Sequence, residues 1–264
     1  MEIKKNFENL GREFRDSFLR ALRDYSESLM FAIIIALIIR SFVFSSYKIA
    51  NTSMEPNLKT GDFILGYKLP FGIRLPFSDI HFGYTPPRRG DIVIFKCPKA
   101  LDTNCIKRVI GLPGDRIEIK NKRLIWNGLV SKYTEPSPSN KKALMLLDSQ
   151  INLDNILILN EAVPYKSRLR KSYSILIEQD IQSSNPEVID SSFNFGPIVV
   201  PPGHFFALGD NRDFTEDSRV WGAIPFEEIE ARPVLVWFSI EWMKSALGEY
   251  SSHLRWNRIF TLIR

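Results

Sequence analysis

The chain has 264 residues, of which 44% are hydrophobic and 25% are charged. These proportions are ordinary for a folded protein, and the length suits one large domain or one domain with an insertion. The formal net charge of +5 is compatible with attraction to anionic lipid or with simple solubility. Because no long basic run occurs, the sequence argues against a nucleic-acid partner.

One long apolar segment lies near the N-terminus. Residues 29–39 are all apolar, and the segment 26–44 is just long enough to span a bilayer. Arg40 lies near its far end, where a long cationic side chain reaches the polar interface. We therefore predict a transmembrane anchor over residues 26–44. A cleaved secretion signal fits less well, because the preceding region is long and no clean small-x-small site follows; a buried core helix is the second alternative.

Basic residues precede the anchor and are sparse just after it. Positive charge marks the cytoplasmic side of a membrane segment. Residues 1–25 are therefore predicted to be cytoplasmic, and residues 45–264 to form a domain on the outer side. The basic residues concerned are Lys4, Lys5, Arg12, Arg15, Arg20 and Arg23.

The chain beyond the anchor has the signals of β-strands and turns. Short runs rich in β-branched and aromatic residues alternate with Gly and Pro, and Asn127-Gly128 between two apolar runs predicts a tight hairpin. A mostly β domain is therefore expected. Residues 131–197 are instead rich in Ser, Asn and Lys without a catalytic constellation, and are predicted to be an insertion. The predicted strands cover residues 62–67, 91–95, 105–110, 116–119, 124–126, 129–130, 198–200, 204–208 and 234–240.

The two cysteines, Cys97 and Cys105, flank a short turn between two strand-like runs. On the outer side of a membrane they are able to form a disulfide across the hairpin, but two separate thiols fit the sequence equally well. No third or fourth ligand occurs at a spacing suited to a metal site.

The C-terminal residues 254–264 mix arginines with apolar side chains. A basic amphipathic segment of this kind is typical of contact with a membrane surface. We therefore predict membrane contact, with packing on the domain as the alternative.

Ser53 follows the predicted anchor by only a few residues, which makes it a candidate nucleophile held close to a membrane. A serine hydroxyl is a poor nucleophile unless a base removes its proton. The three histidines, His81, His204 and His253, lie in no recognisable triad segment, and no Gly-x-Ser-x-Gly elbow occurs. A lysine is the alternative base, provided that burial or a nearby positive charge lowers its pKa.

Three segments carry a resemblance to a known family. They are Ser53-Met54-x-Pro56-x-Leu58-x-x-Gly61-Asp62, then Lys107 followed by Gly111-x-Pro113-Gly114-Asp115, and then residues 209–222. In this order and spacing they resemble the type I signal peptidases, also called leader peptidases. The resemblance covers residues 27–130 and 198–240, and leaves the insertion outside.

The resemblance implies a fold and a reaction. The fold would be an antiparallel signal-peptidase-type β domain behind one N-terminal transmembrane helix. Ser53 would be the nucleophile and Lys107 its general base; within a strand, Lys107 shares one face with Cys105 and Val109. The oxyanion would be bound by the Ser53 N–H and by the side-chain amide of Asn51, which stands where many relatives have a serine.

The same resemblance implies supporting and substrate-binding residues. The Thr215 hydroxyl would bond to the Lys107 amine and orient it, and Asp217 and Arg219 would form a charge pair that fixes the loop. Met54 would pack under the site. The shallow substrate pockets, which in this family accept small residues such as Ala, would be lined by Ile49, Met54, Leu58, Cys105 and Ile106.

The predicted function is that of a membrane-anchored serine endopeptidase that removes N-terminal signal peptides from exported preproteins. Its place would be the bacterial cytoplasmic (inner) membrane, with the catalytic domain on the outer, periplasmic side. Its partners would be preproteins and the lipid bilayer, and no cofactor is expected. Two alternatives remain: a specialised relative, such as an organelle inner-membrane or pilus-system processing peptidase, and a non-catalytic membrane-anchored β domain that binds exported proteins.

Overall fold

The computed structural model describes residues 23–74, 81–137, 155–163, 172–178, 193–244 and 250–263, together with Arg15 and Ser17. The chain forms two compact units, Met1–Phe44 and Ser45–Arg264. The predicted cytoplasmic segment 1–25 lies largely outside the described residues.

The first unit contains one long helix, α1, which covers Arg23–Val43 and so begins three residues before the predicted anchor. It is long and apolar enough to cross a membrane, and none of its most apolar window is buried against protein. Its last turn, Ile39–Val43, is π-helical. Full exposure of an apolar helix does not fit a core helix, because such a helix packs its side chains against its own domain.

The second unit is built from β-strands, and every pairing for which the structure gives a register between named strands is antiparallel. The predicted mostly β, antiparallel fold is thereby confirmed. The strands are β1 (Phe44–Lys48), β2 (Asp62–Tyr67), β3 (Phe71–Arg74), β4 (His81–Tyr84), β5 (Ile92–Cys97), β6 (Ala100–Gly111), β7 (Arg116–Lys120), β8 (Arg123–Trp126), β9 (Leu129–Val130), β10 (Lys132–Thr134), β11 (Ile156–Ala162), β12 (Ser172–Glu178), β13 (Phe195–Val199), β14 (His204–Leu208), β15 (Ile224–Pro225), β16 (Ile229–Lys244), β17 (Tyr250–Leu254) and β18 (Thr261–Leu262). A short helix, α2 (Ser218–Trp221), lies between β14 and β15.

The main sheet has the order β1-β2-β16-β5-β6-β14-β15, with β17 and β18 paired to β16. Its central strand β5 is apolar on both faces. Ile92 and Ile94 join one buried cluster, and Val93 and Phe95 join another, as expected when successive side chains of a strand point to opposite faces. The sheet is therefore covered on both sides at its centre, where β5 pairs with the lysine-bearing strand β6.

The predicted insertion forms part of the described core. Strands β10, β11 and β12 make a three-stranded sheet of their own. Tyr173 and Ile175 of β12, and Val163 just after β11, are buried in one cluster with Trp126 of β8 and Phe206 of β14. The segment predicted to be an insertion thus shares a hydrophobic core with β8 and β14, which lie outside it.

The second unit bears on two features that the sequence left open, the cysteine pair and the C-terminal segment. Cys97 and Cys105 form a disulfide across the β5–β6 hairpin, with their Cα atoms 5.1 Å apart. In the C-terminal segment Arg255 and Arg258 bond inward, to Ser239 and Asp62 respectively, while Arg264 lies outside the described residues. These two arginines therefore pack on the domain, whereas the aromatic side chains of Trp256 and Phe260 stay exposed.

Candidate active site

The candidate nucleophile Ser53 lies in the turn between β1 and β2, residues 49–61, which is called the nucleophile turn below. The turn is closed by backbone hydrogen bonds from Glu55 N–H to the Thr52 carbonyl (3.0 Å) and from Leu58 N–H to the Met54 carbonyl (2.9 Å). Met54 and Leu58 are buried beneath it. Ser53 itself is only 6% exposed, so its hydroxyl is held in a protein environment and not in bulk water.

The structure brings Ser53 and Lys107 together. The Lys107 amine lies 2.8 Å from the Ser53 hydroxyl oxygen, in a buried hydrogen bond between residues 54 positions apart in the sequence. Lys107 projects from β6, opposite Val93 of β5, and is 3% exposed. The ring of Trp221 lies beside the amine, with its centroid 5.9 Å away. A nucleophile and a base within hydrogen-bond reach meet the first geometric condition for base-assisted attack.

The surroundings of Lys107 favour the neutral amine. Burial is the largest influence and lowers the pKa of Lys107 from 10.5 to about 8, with Arg219 acting in the same direction and the carboxylates of Asp217, Asp210 and Glu216 opposing it. At pH 7 about a tenth of the molecules then carry the neutral amine. A neutral amine, the form able to accept a proton, is therefore populated at physiological pH.

Asn51 is placed differently from the prediction. Its side-chain oxygen accepts a hydrogen bond from the Ser53 N–H at 3.3 Å, so the carboxamide faces that N–H with its acceptor. An Asn side chain commonly bonds the backbone N–H two residues further on, because that closes a small turn. The predicted oxyanion site, with the Ser53 N–H free and the Asn51 amide donating, is not formed in this structure.

Thr215 is also corrected. Its hydroxyl donates to the carbonyl oxygen of Glu216 at 3.1 Å, while the Lys107 amine donates to Ser53. Among the described residues no hydrogen bond joins Thr215 to Lys107. The threonine is buried near the site, but its hydroxyl is turned to the nearest backbone acceptor in its own loop.

Gly209 is a site residue for which the sequence analysis assigned no role. A Cβ atom added there would lie 2.7 Å from the Ser53 carbonyl oxygen and 2.5 Å from the Thr215 methyl carbon. Both distances are too short for ordinary contact, so only glycine lets the loop after β14 approach the nucleophile turn this closely. Asn211, two residues further, donates its N–H to the Ser53 carbonyl at 3.1 Å.

Asp217 and Arg219 form a buried ion pair. Arg219 donates to the two carboxylate oxygens of Asp217, each at 2.8 Å, and Asp217 caps α2 and accepts from the Gly209 N–H at 3.0 Å. Burial raises the pKa of Asp217, but the charge and hydrogen bonds of Arg219 outweigh it and hold that pKa below its ordinary value. The pair therefore ties the loop after Gly209 to the helix α2.

A second buried ion pair involves Arg108, which points to the face of β6 opposite to Lys107. Arg108 donates from Nε and Nη2 to the two carboxylate oxygens of Asp210, each at 2.7 Å. Its third nitrogen donates to the Gly90 carbonyl at 2.7 Å, and its guanidinium lies 4.1 Å from the ring centre of Tyr173. A fully buried fork of this geometry fixes the loop at Asp210 next to the strand that carries Lys107.

The five predicted pocket residues do not form one group. Ile49, Met54 and Leu58 are buried together in one cluster, against which Ile106 packs. Cys105 packs with a different cluster and is bound in the disulfide, because alternate residues of β6 point to opposite faces. Met54 and Leu58 support the nucleophile turn from below in this structure.

No group of three or more His, Cys, Asp or Glu side chains able to hold a metal ion occurs in the part of the chain that the structure describes.

Comparison with known proteins identifies the family. Residues 22–238 match the family model described as signal peptidase, peptidase S26. The chain belongs to this family. The predicted resemblance is thereby confirmed, and with it an enzyme whose reaction is the removal of signal peptides by a membrane-anchored serine peptidase.

The chain is similar to several bacterial signal peptidases. It is 34% identical to signal peptidase I of Pseudomonas aeruginosa over 234 residues, which cover 83% of this chain and 73% of the relative. It is 31% identical to signal peptidase I of Aquifex aeolicus over 229 residues, covering 80% and 82% respectively. A crystal structure of a signal peptidase I from Enterococcus faecalis matches 56% of this chain and 97% of its own, with a TM-score of 0.30 and 22% identity.

Proposed function

We propose that Ser53 and Lys107 are the catalytic dyad with which this signal peptidase cleaves preproteins. The observation that carries the proposal is the buried 2.8 Å contact between the Lys107 amine and the Ser53 hydroxyl. A solvated surface lysine would not serve, since its pKa leaves it almost wholly protonated at neutral pH. The lowered pKa of Lys107, at about 8, supports its role as the base.

The proposed reaction proceeds through an acyl-enzyme. The neutral Lys107 amine takes the proton of the Ser53 hydroxyl as Oγ attacks the scissile carbonyl carbon, and the carbonyl oxygen becomes an oxyanion. The ammonium of Lys107 then gives its proton to the departing amine, and an ester joins Ser53 to the signal peptide. Water, activated by the same amine, hydrolyses the ester and regenerates the enzyme.

The oxyanion requires a change at Asn51. The Ser53 N–H now donates to the Asn51 side-chain oxygen at 3.3 Å, which is a long hydrogen bond. We propose that the substrate carbonyl replaces this oxygen, and that the Asn51 side chain turns to present its amide group as the second donor. Preorganised donors at this position typically supply about 10²–10³-fold in rate.

The membrane is proposed as the second partner. Large apolar side chains are exposed on β16, β18 and the turns beside them, including Trp256 at 75% and Phe260 at 77%. Aromatic side chains of this kind are enriched where proteins meet the headgroup layer. Together with α1, this surface supports catalysis at a lipid bilayer. The other exposed members are Trp237, Trp242 and Leu262.

The proposed location is the cytoplasmic membrane of a bacterium, with the N-terminus inside and residues 45–264 outside. The orientation rests on the basic residues before α1. A protease added to intact spheroplasts should digest the chain beyond residue 45 and leave an N-terminal tag protected. Digestion of the tag in intact spheroplasts would show that the N-terminus lies outside and would refute the proposed orientation.

The dyad is tested by cleavage of a preprotein with the full chain in detergent. Ser53→Ala, Lys107→Ala and Lys107→Arg should each reduce the rate by about 10⁴-fold or more, since each removes the nucleophile or a base able to lose its proton. Ser252→Ala and Lys120→Ala, at exposed positions, serve as matched controls with parental rates. Parental activity in any of the three dyad variants would refute the mechanism and favour another nucleophile or base.

A further inference from the structure

The insertion places a buried carboxylate next to the loop after β14, which lies against the turn that carries Ser53. Glu161 of β11 is fully buried. Its two oxygens accept hydrogen bonds from the hydroxyls of Tyr133 and Tyr173, each at 2.7 Å. Arg212, in the loop after β14, donates from Nη1 to the first of these oxygens at 3.0 Å and from Nη2 to the other. All the polar atoms of the carboxylate are thus satisfied by buried partners.

The negative charge of Glu161 is balanced by the positive charge of Arg212, with which it forms an ion pair. Burial raises the pKa of Glu161, but the guanidinium of Arg212 and the hydrogen bonds from Arg212 and the two tyrosines outweigh it and keep that pKa below its ordinary value. Arg212 is itself buried. A buried guanidinium deprived of its counter-charge is strongly unfavourable and moves toward water or other acceptors.

Arg212 connects this pair to the active site. Its Nε donates to the Gly209 carbonyl at 3.2 Å, and its own carbonyl accepts from Arg219 at 2.6 Å. Gly209 is the residue whose missing side chain lets the loop meet the Ser53 carbonyl. A movement of Arg212 therefore displaces the backbone that lies against the nucleophile turn.

Backbone pairing reinforces the connection. Leu176 of β12 donates its N–H to the Asp210 carbonyl at 2.9 Å, and the Arg212 N–H donates back to the Leu176 carbonyl at 3.0 Å. From the nucleophile turn, Asn57 donates its side-chain amide to the Ser174 carbonyl of β12 at 2.7 Å. The insertion thus contacts both the loop after β14 and the turn that carries Ser53.

We propose that the β10–β12 sheet of the insertion is a positioning element of the active site, and that Glu161 positions Ser53 by holding Arg212 and, through it, Gly209. The inference rests on the proposed Ser53/Lys107 dyad and adds to it a residue that touches neither substrate nor reacting atoms. A misplacement of about 1 Å at a reacting group costs on the order of 100-fold in rate. Loss of the carboxylate therefore acts on kcat more than on substrate binding.

The test is steady-state kinetics on a short peptide substrate with the full chain in detergent. Glu161→Gln keeps the shape and removes the charge, and should lower kcat by about 10- to 100-fold with KM within about twofold of the parent. The double variant Tyr133→Phe with Tyr173→Phe leaves the ion pair in place and removes two hydrogen bonds, and should lower kcat by at least about threefold. Val163→Ala removes buried methyl groups from the same core and no hydrogen bond, and should leave kcat unchanged.

A structural role alone would give a different result. If Glu161→Gln is folded and keeps kcat within twofold, or if Val163→Ala lowers kcat as much at the same melting temperature, the positioning role is refuted. If Glu161→Gln fails to fold, the tyrosine double variant decides, and an unchanged kcat there refutes the proposal. The variants Ser53→Ala and Lys107→Ala separate the two proposals. Activity in either of them overturns the dyad. If both are inactive while the Glu161 and tyrosine variants are fully active, only the positioning role is overturned.

Discussion

Gly209→Ala is the substitution whose effect follows most directly from the structure. Gly209 approaches the Ser53 carbonyl so closely that a Cβ atom would lie 2.7 Å from its oxygen, where ordinary contact begins at 3.4 Å. The nucleophile turn or the loop after β14 must therefore shift by about 0.7 Å to accept an alanine. The Thr215 methyl carbon, at 2.5 Å from the same added atom, closes the other side.

The size of this shift gives the expected loss in kcat. A displacement of about 1 Å at the reacting group costs on the order of 100-fold, so about 0.7 Å at Ser53 should lower kcat by about 10- to 30-fold. Overpacking should also destabilise the fold by about 1–3 kcal/mol. The assay is kcat and KM on a short peptide, with the melting temperature measured for each variant.

Gly111→Ala is the matched control for this prediction. Its added Cβ would lie 2.9 Å from a methyl carbon of Val200 and 3.0 Å from a side-chain carbon of Ile117, so it overpacks the core against side chains and not against the backbone of the nucleophile turn. It should cost stability and leave kcat within about twofold of the parent. A folded Gly209→Ala enzyme with kcat within about threefold of the parent would refute the reasoning, because the two loops would then tolerate separation without effect on Ser53.

Three further predictions concern the groups around the dyad. The ratio kcat/KM should rise with pH through about 8, since the neutral form of Lys107 is the base; a flat profile between pH 7 and 9 would remove the lysine from that step. Thr215→Val should lower kcat by no more than about threefold, because its hydroxyl bonds only the Glu216 carbonyl, and a tenfold loss would mean that the hydroxyl reaches Lys107 during turnover. Asn51→Ala should lower kcat by about 100-fold with little change in KM; Asn51→Asp keeps the acceptor seen in the structure and lacks the donor, so it should be equally impaired, whereas an active Asp variant would assign Asn51 to the turn alone.

The residues that the sequence was able to single out are those carried by short contiguous segments. Ser53, with the spacing to Pro56, Leu58 and Gly61, and Lys107, ahead of Gly111, are recognisable because one turn or strand end fixes each pattern. The strand 62–67 was predicted with its observed bounds because a short run rich in β-branched and aromatic residues is likewise a local signal. Their meeting at 2.8 Å was implied by the family resemblance and not by any local signal.

The residues that the sequence left unassigned depend on tertiary contacts. Glu161 and Arg212 are 51 positions apart, and Arg108 and Asp210 are 102 positions apart. From the sequence alone, such charged residues are expected at the solvated surface or in turns, because charges are rarely buried unless paired. The partner of each buried charge becomes known only from the fold. For Asn51 and Thr215 the sequence did not indicate the partner seen in the structure, because each side chain takes a nearby backbone partner and residue type alone does not select among the partners in reach.

The arrangement also explains why the nucleophile turn keeps its place. The Ser53 carbonyl accepts from the Asn211 N–H, the Asn57 amide bonds the insertion strand β12, and the Asn57 carbonyl accepts from Arg258 of the C-terminal segment at 3.1 Å. Three elements distant in sequence therefore hold one short turn. A turn fixed from three sides keeps its serine within reach of Lys107 without substrate, so that less of the binding energy of a preprotein is spent on ordering the catalytic groups.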